Sequence, residues 1–365
     1  MIQSSSTRLT YLDSLRGIVS LSVVIYHWMF AFPEEHRMMP ERTSRLWAMI
    51  FNGADAVSFF FVLSGLVLSY KYLQGSYVNK RIDYKSFAIA RFYRLYPAYW
   101  FCLLFYYLHT VWGTKIKVFL SLSDLLAEAS LLRNFAPLYG AGWTLNIEMV
   151  LSLVMPFLIL LIRYDEKLFR IFIVLSLLFS SFFSQFLFHF SLGIFISYHF
   201  KSIQNFDFKN SSIYPYRWLI SILVMAAYSI RHIYELYPFE KALNWLNRIC
   251  GFTFFQVTAI ASACVIVFAI QNRKAQQILE NKLFTFLGEI SYGMYLVHWF
   301  WLFYILKPKF EYIQNTFQTN NFYTGIIIGV MLLFLTITSS FLIYRFIELP
   351  FIEKGRKRVA SLKVA

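Results

Sequence analysis

The stretch from Thr10 to Phe32, TYLDSLRGIVSLSVVIYHWMFAF, decides the class of fold. It is mostly apolar and long enough to cross a bilayer as a helix, yet it carries Asp13, Arg16 and His27. Arg16 and His27 are eleven residues apart. Eleven steps of ~100° return a helix to within about 20° of its starting face, with a rise of ~16 Å. Both side chains therefore face the same way. With Arg16 at one interface, His27 lies near or just past the middle of a ~30 Å hydrocarbon core. Ionisable groups at that depth are expensive, so a functional role is their default reading.

The rest of the chain surrounds this helix with more of the same material. Of 365 residues, 58% are hydrophobic and 15% charged, against roughly 25% charged in a soluble domain. Apolar runs recur from end to end, which predicts one all-α integral membrane domain over residues 1–352 and a short basic cytoplasmic tail over 353–365. The net charge of +15 is scattered through short loops. That pattern fits topology signals and anionic lipid rather than nucleic acid. Cys102 and Cys264 fall inside apolar runs and Cys250 at the edge of one, so neither a disulfide framework nor a metal site is expected. The N-terminal run continues into aromatics and Pro33 without a small-residue cleavage site, unlike a signal peptide.

Ten spans can be drawn, at 12–32, 54–73, 95–113, 143–162, 169–183, 186–200, 218–232, 251–271, 286–306 and 322–345. The run from 171 to 200 reads either as two short spans or as one kinked helix; two keep the charge pattern consistent. With the N-terminus inside, 23 of the 34 Lys and Arg fall in inner segments and 11 in outer ones. Both termini are therefore expected in the cytoplasm. The outer segment from Lys115 to Arg133 is amphipathic and reads as a short helix on the outer surface.

The most basic internal loop, YKSFAIARFYRLYPAYW from Tyr84 to Trp100, sets Lys85, Arg91 and Arg94 at helical spacing among aromatics. A membrane-surface helix accounts for such a stretch. Arg91 and Arg94 are also i,i+3 neighbours, and paired guanidiniums suit phosphates. Pro97 marks the expected start of the third span.

Within the spans the polar residues form a small set. GADAVSFFFVLSGLVLSY holds Asp55 and Ser58 near its outer end and Ser64-Gly65 in its middle; that pair reads as a close helix contact, with no G-x-S-x-G elbow around it. GWTLNIEMVLSLVMPFL places Glu148 about a turn inside the outer interface, where a carboxylate can also reach water. In LGEISYGMYLVHWFWLF, Ser291, Tyr295 and His298 share one helical face, as interhelical hydrogen bonding or as part of a site. Glu348 is expected to pair Arg345. Gly325-x-x-x-Gly329 is a helix-contact motif and does not specify an oligomer. Arg16, Arg91 and Arg94 thus lie toward the cytoplasm, and His27, Asp55 and Glu148 deeper or outside. A phosphorylated donor bound inside requires this polarity, and a proton-coupled transporter would use similar groups.

The ordered set LDSLRGIVSLSVVIYH, FFVLSGLVLS, RFYRLYP, WTLNIEMVLSLVMP and ISYGMYLVH resembles the acyltransferase 3 family of bacterial membrane acyltransferases, from Leu12 to Pro350. The resemblance implies a multi-pass O-acyltransferase of the bacterial inner membrane. Its donor would be a cytoplasmic acyl-coenzyme A, usually acetyl-CoA, with no permanently bound cofactor. Its acceptor would be a hydroxyl of a surface polysaccharide, lipopolysaccharide or lipid-linked saccharide. The family's Arg-x10-His motif falls on Arg16 and His27, and its Arg-x-x-Arg motif on Arg91 and Arg94, with Lys85 beside them. Trp143, Thr144, Leu145 and Glu148 carry its Trp-Ser/Thr-Leu-x-x-Glu motif. Ser291, Tyr292, Tyr295, Leu296 and His298 carry its Ser-Tyr-x-x-Tyr-Leu-x-His motif.

One position departs from the pattern: where many members carry an acid, this chain has Ser58, with Asp55 three residues earlier. Glu148 then becomes the expected partner of His27. On this reading His27, Glu148 and Arg16 are catalytic, Arg91, Arg94 and Lys85 hold the donor, and Asp55, Ser58, Trp143, Ser291, Tyr295 and His298 support substrate. The rival from another class is a transporter or flippase of a glycan precursor, with His27 and Glu148 as a proton relay. A regulatory protein that kept the fold and lost the activity is the second rival, and the intact Arg16, His27 and paired-arginine set argues against it.

Overall fold

The computed structural model describes residues 9–74, 78, 80–113, 122–131, 139–180, 186–236 and 254–362. Every regular element among them is helical. In chain order they are α1 (Thr10–Phe30), α2 (Glu41–Ile50), α3 (Ala56–Leu73), α4 (Tyr84–Gly113), α5 (Leu122–Ala129), α6 (Gly142–Tyr164), α7 (Glu166–Leu178), α8 (Leu187–Tyr198), α9 (Phe200–Asn205), α10 (Arg217–Tyr228), α11 (Ile230–Leu236), α12 (Phe254–Gln271), α13 (Arg273–Leu279), α14 (Lys282–Trp299), α15 (Phe310–Phe317), α16 (Asn321–Ile343) and α17 (Leu349–Ser361). Side-chain caps start several of them: Asp165 accepts from the backbone of Lys167 and Leu168 at α7, and Asn320 from Tyr323 at α16. A π-helical stretch, Phe300–Leu306, prolongs α14. A second, Tyr344–Glu348, joins α16 to α17 in one helix of 41 residues, Asn321–Ser361.

Among the described residues, four helices are long and apolar enough to cross a membrane: Ala56–Leu73, Gly142–Tyr164, Phe254–Gln271 and Asn321–Ser361. Tyr214–Tyr228 and Ile230–Leu236, bent by 70° at Ser229, make a fifth if they count as one span. α1, α4 and α14 also have the length, but their apolar runs are diluted by the polar residues singled out above. Phe157, Trp218, Ile222 and Phe334 are all more than half exposed. Large apolar side chains turned outward on helices are what a lipid-facing surface requires.

The chain divides into two compact units. The first takes Met1–Val23, Arg45–Arg81 and Met155–Glu289. At its centre α3 and α8 touch backbone to backbone: a Cβ on Gly65 would lie 2.3 Å from the Phe190 carbonyl oxygen, and one on Gly193 2.0 Å from that of Val62. Ser64-Gly65 is thus part of a close helix contact, as the sequence suggests. α1 and α14 meet similarly, with Gly17 against the Gly288 nitrogen and Gly288 against the Asp13 carbonyl. Only glycine permits such approaches, which replace side-chain contact by backbone packing. α7 stops at Phe179, whose ψ of 27° is not helical, and α8 starts at Leu187. Two helices therefore occupy the 171–200 run, with their link at 181–185 outside the described residues.

The second unit takes Val24–Ser44, Ile82–Val154 and Ile290–Ala365. Among the described residues two apolar clusters hold it: one around Tyr99, Tyr139, Leu145, Leu296 and Phe300, the other around Val24, Phe32, Leu302, Phe310 and Ile328. The Gly325-x-x-x-Gly329 motif is used within the unit. Trp28 donates its indole N–H to the Gly325 carbonyl at 2.9 Å and lays its ring on Gly329.

Two features of this unit differ from the sequence reading. α4 runs straight through Pro97, so the basic stretch and the third span are one helix of 30 residues, ~45 Å long. α5 does not lie past the end of α4 but beside its middle: Tyr96, Tyr99 and Trp100 donate to the carbonyls of Ser130, Glu128 and Ala129. α5 and the residues after it to Leu131 thus pack along α4, with Glu128 and Leu131 buried; a helix lying only on the outer surface would leave Tyr96 and Tyr99 without these partners. The ends of that outer segment, 114–121 and 132–138, lie outside the described residues, as does Cys250. Residues 353–361 continue α17, where Gly355 packs on Tyr93 of α4.

Candidate functional site

His27 sits in the last turn of α1, inside the second unit. Its Nδ1 lies 3.2 Å from Nε2 of His298, and the two rings are inclined by 23° with centroids 5.2 Å apart. Nδ1 of His298 is 3.0 Å from the carbonyl oxygen of Met294, one helical turn earlier in α14. Trp299 and Phe303 meet the His27 ring edge-on, at 5.3 and 6.3 Å between centroids. His298 is 1% exposed. The result is an imidazole pair walled by aromatics.

The two arginines of α4 are each met by a carboxylate. Arg91 donates from Nη2 to Glu148 Oε1 at 2.8 Å, and Arg94 from Nη1 to Glu348 Oε2 at 3.1 Å. Both pairs differ from the sequence reading. Glu148, expected from the sequence as the partner of His27, accepts from Arg91 in the second turn of α6. Glu348 was expected on Arg345; the π-helical stretch rotates it inward, where its side chain is fully buried. Arg91 is itself buried, and its Nε has no hydrogen-bond partner among the described residues. Lys85 is exposed in the first turn of α4, its backbone N–H capped by Asp83.

α14 connects these two places. Tyr292 holds its hydroxyl on the Leu95 carbonyl at 2.7 Å, with the Arg94 guanidinium 5.8 Å above its ring. Tyr295 takes the Thr144 hydroxyl at 2.7 Å and lies 5.8 Å from the His298 ring. Ser291 is buried on the same helix, and Trp143 is about one-third exposed at the head of α6. α6 and α14 therefore meet through the Thr144–Tyr295 bond, a pairing that spacing within either motif cannot reveal.

Arg16, Asp55 and Ser58 belong to the first unit. Arg16 pairs with Asp13 at 2.9 Å. Asp55, fully buried, pairs with Arg231 at 2.9 Å and receives an N–H from Asn52 at 3.3 Å. Around them His232 bridges Asn52 and Glu235, and Arg45 closes the network on Glu235. Ser58 donates its hydroxyl to the Phe255 carbonyl at 3.2 Å and lies 3.1 Å from His189 Nε2. With its one proton on Phe255, Ser58 must accept from His189, the reverse of the direction that activates a serine nucleophile. The isolated His189 in the apolar run FLFHFSLG was the signal for this contact. Among the described residues no His, Cys, Asp and Glu cluster could hold a metal ion, and Cys102 and Cys264 are free thiols.

Comparison with curated proteins and with solved structures finds no match. A family model described as an acyltransferase domain matches residues 9–345, nearly the whole chain and every motif named above up to His298. The His27 pair, the two arginines and the motifs that carry them all fall inside that match, and the chain belongs to the acyltransferase 3 family, a family of membrane acyltransferases.

Proposed function

We propose that the protein is an O-acyltransferase that moves an acyl group, acetyl in the first instance, from cytoplasmic acyl-coenzyme A to a hydroxyl of a surface polysaccharide, lipopolysaccharide or lipid-linked sugar. The setting is a bacterial inner membrane, with ten crossings and both termini in the cytoplasm. One observation carries the reading: α14 spans from the arginine end of the second unit, at Tyr292, to the imidazole pair, at His298. Six residues separate them, a rise of ~9 Å. That distance is well within the reach of a pantetheine arm whose phosphates rest on arginines and whose thioester lies at His27.

Arg91 and Arg94 take the donor's phosphates by charge-assisted hydrogen bonds, exchanging Glu148 and Glu348 for phosphate oxygens. The spare Nε–H of Arg91 supports this role. Lys85, exposed at the head of the same helix, adds positive charge at the entrance. His27 removes the proton from the acceptor hydroxyl as its oxygen bonds to the acyl carbon. The carbon–sulfur bond then breaks, and His27 returns the proton to the departing thiolate, releasing free coenzyme A. Arg16 is assigned to the donor's approach from its place on α1, and Tyr295 and Thr144 keep the wall of the site in register. Direct transfer is favoured because Ser58 is held as an acceptor and Cys102 is buried in an apolar cluster.

The test is release of free coenzyme A that depends on added glycan acceptor, using protein in membranes. His27→Ala should lower it by about 10²–10⁴-fold, the range for a lost general base. Wild-type transfer by that variant would refute the assignment. Mass spectrometry of surface glycans with and without the protein identifies the acceptor.

A further inference from the structure

We propose that His298 is the positioning residue that fixes the tautomer of His27, so that Nε2 of His27 is the atom that takes the acceptor's proton. This rests on the acyl-transfer reading and specifies which atom acts and what orients it.

The argument is one of donors and acceptors. A neutral imidazole has one N–H and one lone pair. A backbone carbonyl can only accept, so the 3.0 Å contact to Met294 puts the proton of His298 on Nδ1. Nε2 of His298 then carries a lone pair, and the 3.2 Å contact to His27 has to be filled by a proton on Nδ1 of His27. The remaining nitrogen of neutral His27, Nε2, is left as a lone pair. The opposite arrangement would need His298 to hold two protons, a cation on a ring that is 1% exposed. Burying a charge there without a carboxylate partner is costly. The groups packed against His298 are the Met294 carbonyl and the His27, Tyr295 and Trp299 rings.

The same contact serves the second half of the reaction. Once Nε2 of His27 holds the acceptor's proton, the ring is an imidazolium, and its Nδ1–H donates to the His298 lone pair more strongly than before. The departing thiolate takes the proton from Nε2 and both rings return to their starting state. A neutral imidazole in this place orients and stabilises without adding a buried negative charge, which is the task an orienting carboxylate performs in other His-dependent sites.

The experiment compares His298→Gln, His298→Leu and the wild type, reconstituted in lipid. Nitrogen NMR of histidine-labelled protein reads the His27 tautomer directly, with His27→Ala assigning the signal. An Nδ1–H tautomer is expected in the wild type and in His298→Gln, whose amide oxygen can accept the same bond. In His298→Leu the Nε2–H form should appear. An Nε2–H tautomer in the wild type, or an Nδ1–H tautomer that persists in His298→Leu, would overturn the proposal. Because this readout needs no donor or acceptor, it is independent of whether acyl transfer is the reaction. In the transfer assay, His298→Leu should lower kcat about 10²-fold with the donor KM unchanged, and should move the pH profile of kcat, whereas His298→Gln should keep the wild-type profile. A kcat loss without a changed pH profile would mark His298 as structural and count against the proposal.

Discussion

Glu348→Gln separates the two properties that meet at the Arg94–Glu348 pair. The Glu348 side chain is fully buried, and Arg94 is 26% exposed. A hydrogen bond to a charged group contributes about 1.5–3 kcal/mol. Partial exposure lets water take over some of the Arg94 solvation, so the lower end, ~1.5 kcal/mol, is the expected loss of stability. If donor phosphate has to displace this carboxylate, the same energy no longer opposes binding. Since 1.4 kcal/mol is a factor of ten, coenzyme A should bind about tenfold tighter to the variant. The two effects have opposite signs, which makes the test discriminating. Calorimetric titration of coenzyme A in detergent gives the affinity, and thermal unfolding of the same sample gives the stability. Glu353→Gln, an exposed carboxylate on α17, should change neither and controls for general charge. A Glu348→Gln protein that is less stable but binds coenzyme A no more tightly, or more weakly, would refute the exchange of carboxylate for phosphate at Arg94.

Other outcomes follow from the packing. Gly17→Ala would place a Cβ 2.4 Å from backbone atoms of Leu287 and Gly288, forcing α1 and α14 apart at a cost of about 1–3 kcal/mol in thermal unfolding; an unchanged midpoint would show that the helices do not touch there. Ser58→Ala removes an acceptor from His189 and a donor from Phe255, so stability should fall by about 1 kcal/mol while acyl transfer persists. A transfer loss as large as that of His27→Ala would return Ser58 to the catalytic set.

The helices were legible because their cause is local. Apolar runs and the small-residue contacts at Ser64-Gly65 and Gly325-x-x-x-Gly329 are written within a few residues of where they act. Where the reading failed, a neighbour distant in sequence had decided the outcome. The segment at 122–131 carries a good amphipathic pattern for an interface helix, but Tyr96, Tyr99 and Trp100 offer it three hydrogen bonds along α4 instead.

For the candidate site, the residue types and the face they occupy on α1, α4 and α14 came from the sequence by itself, because helical periodicity and the cost of polar groups in lipid are properties of single segments. The pairing of those groups came only from the tertiary structure. Glu148 and Glu348 reach Arg91 and Arg94 from α6 and from the π-helical stretch before α17, where the register between helices sets the pairing. His298 meets His27 across 271 residues of sequence. Side-chain hydrogen bonds act over about 3 Å, so a shift of one residue in either helix would have given other partners, and no pattern within a segment encodes that register.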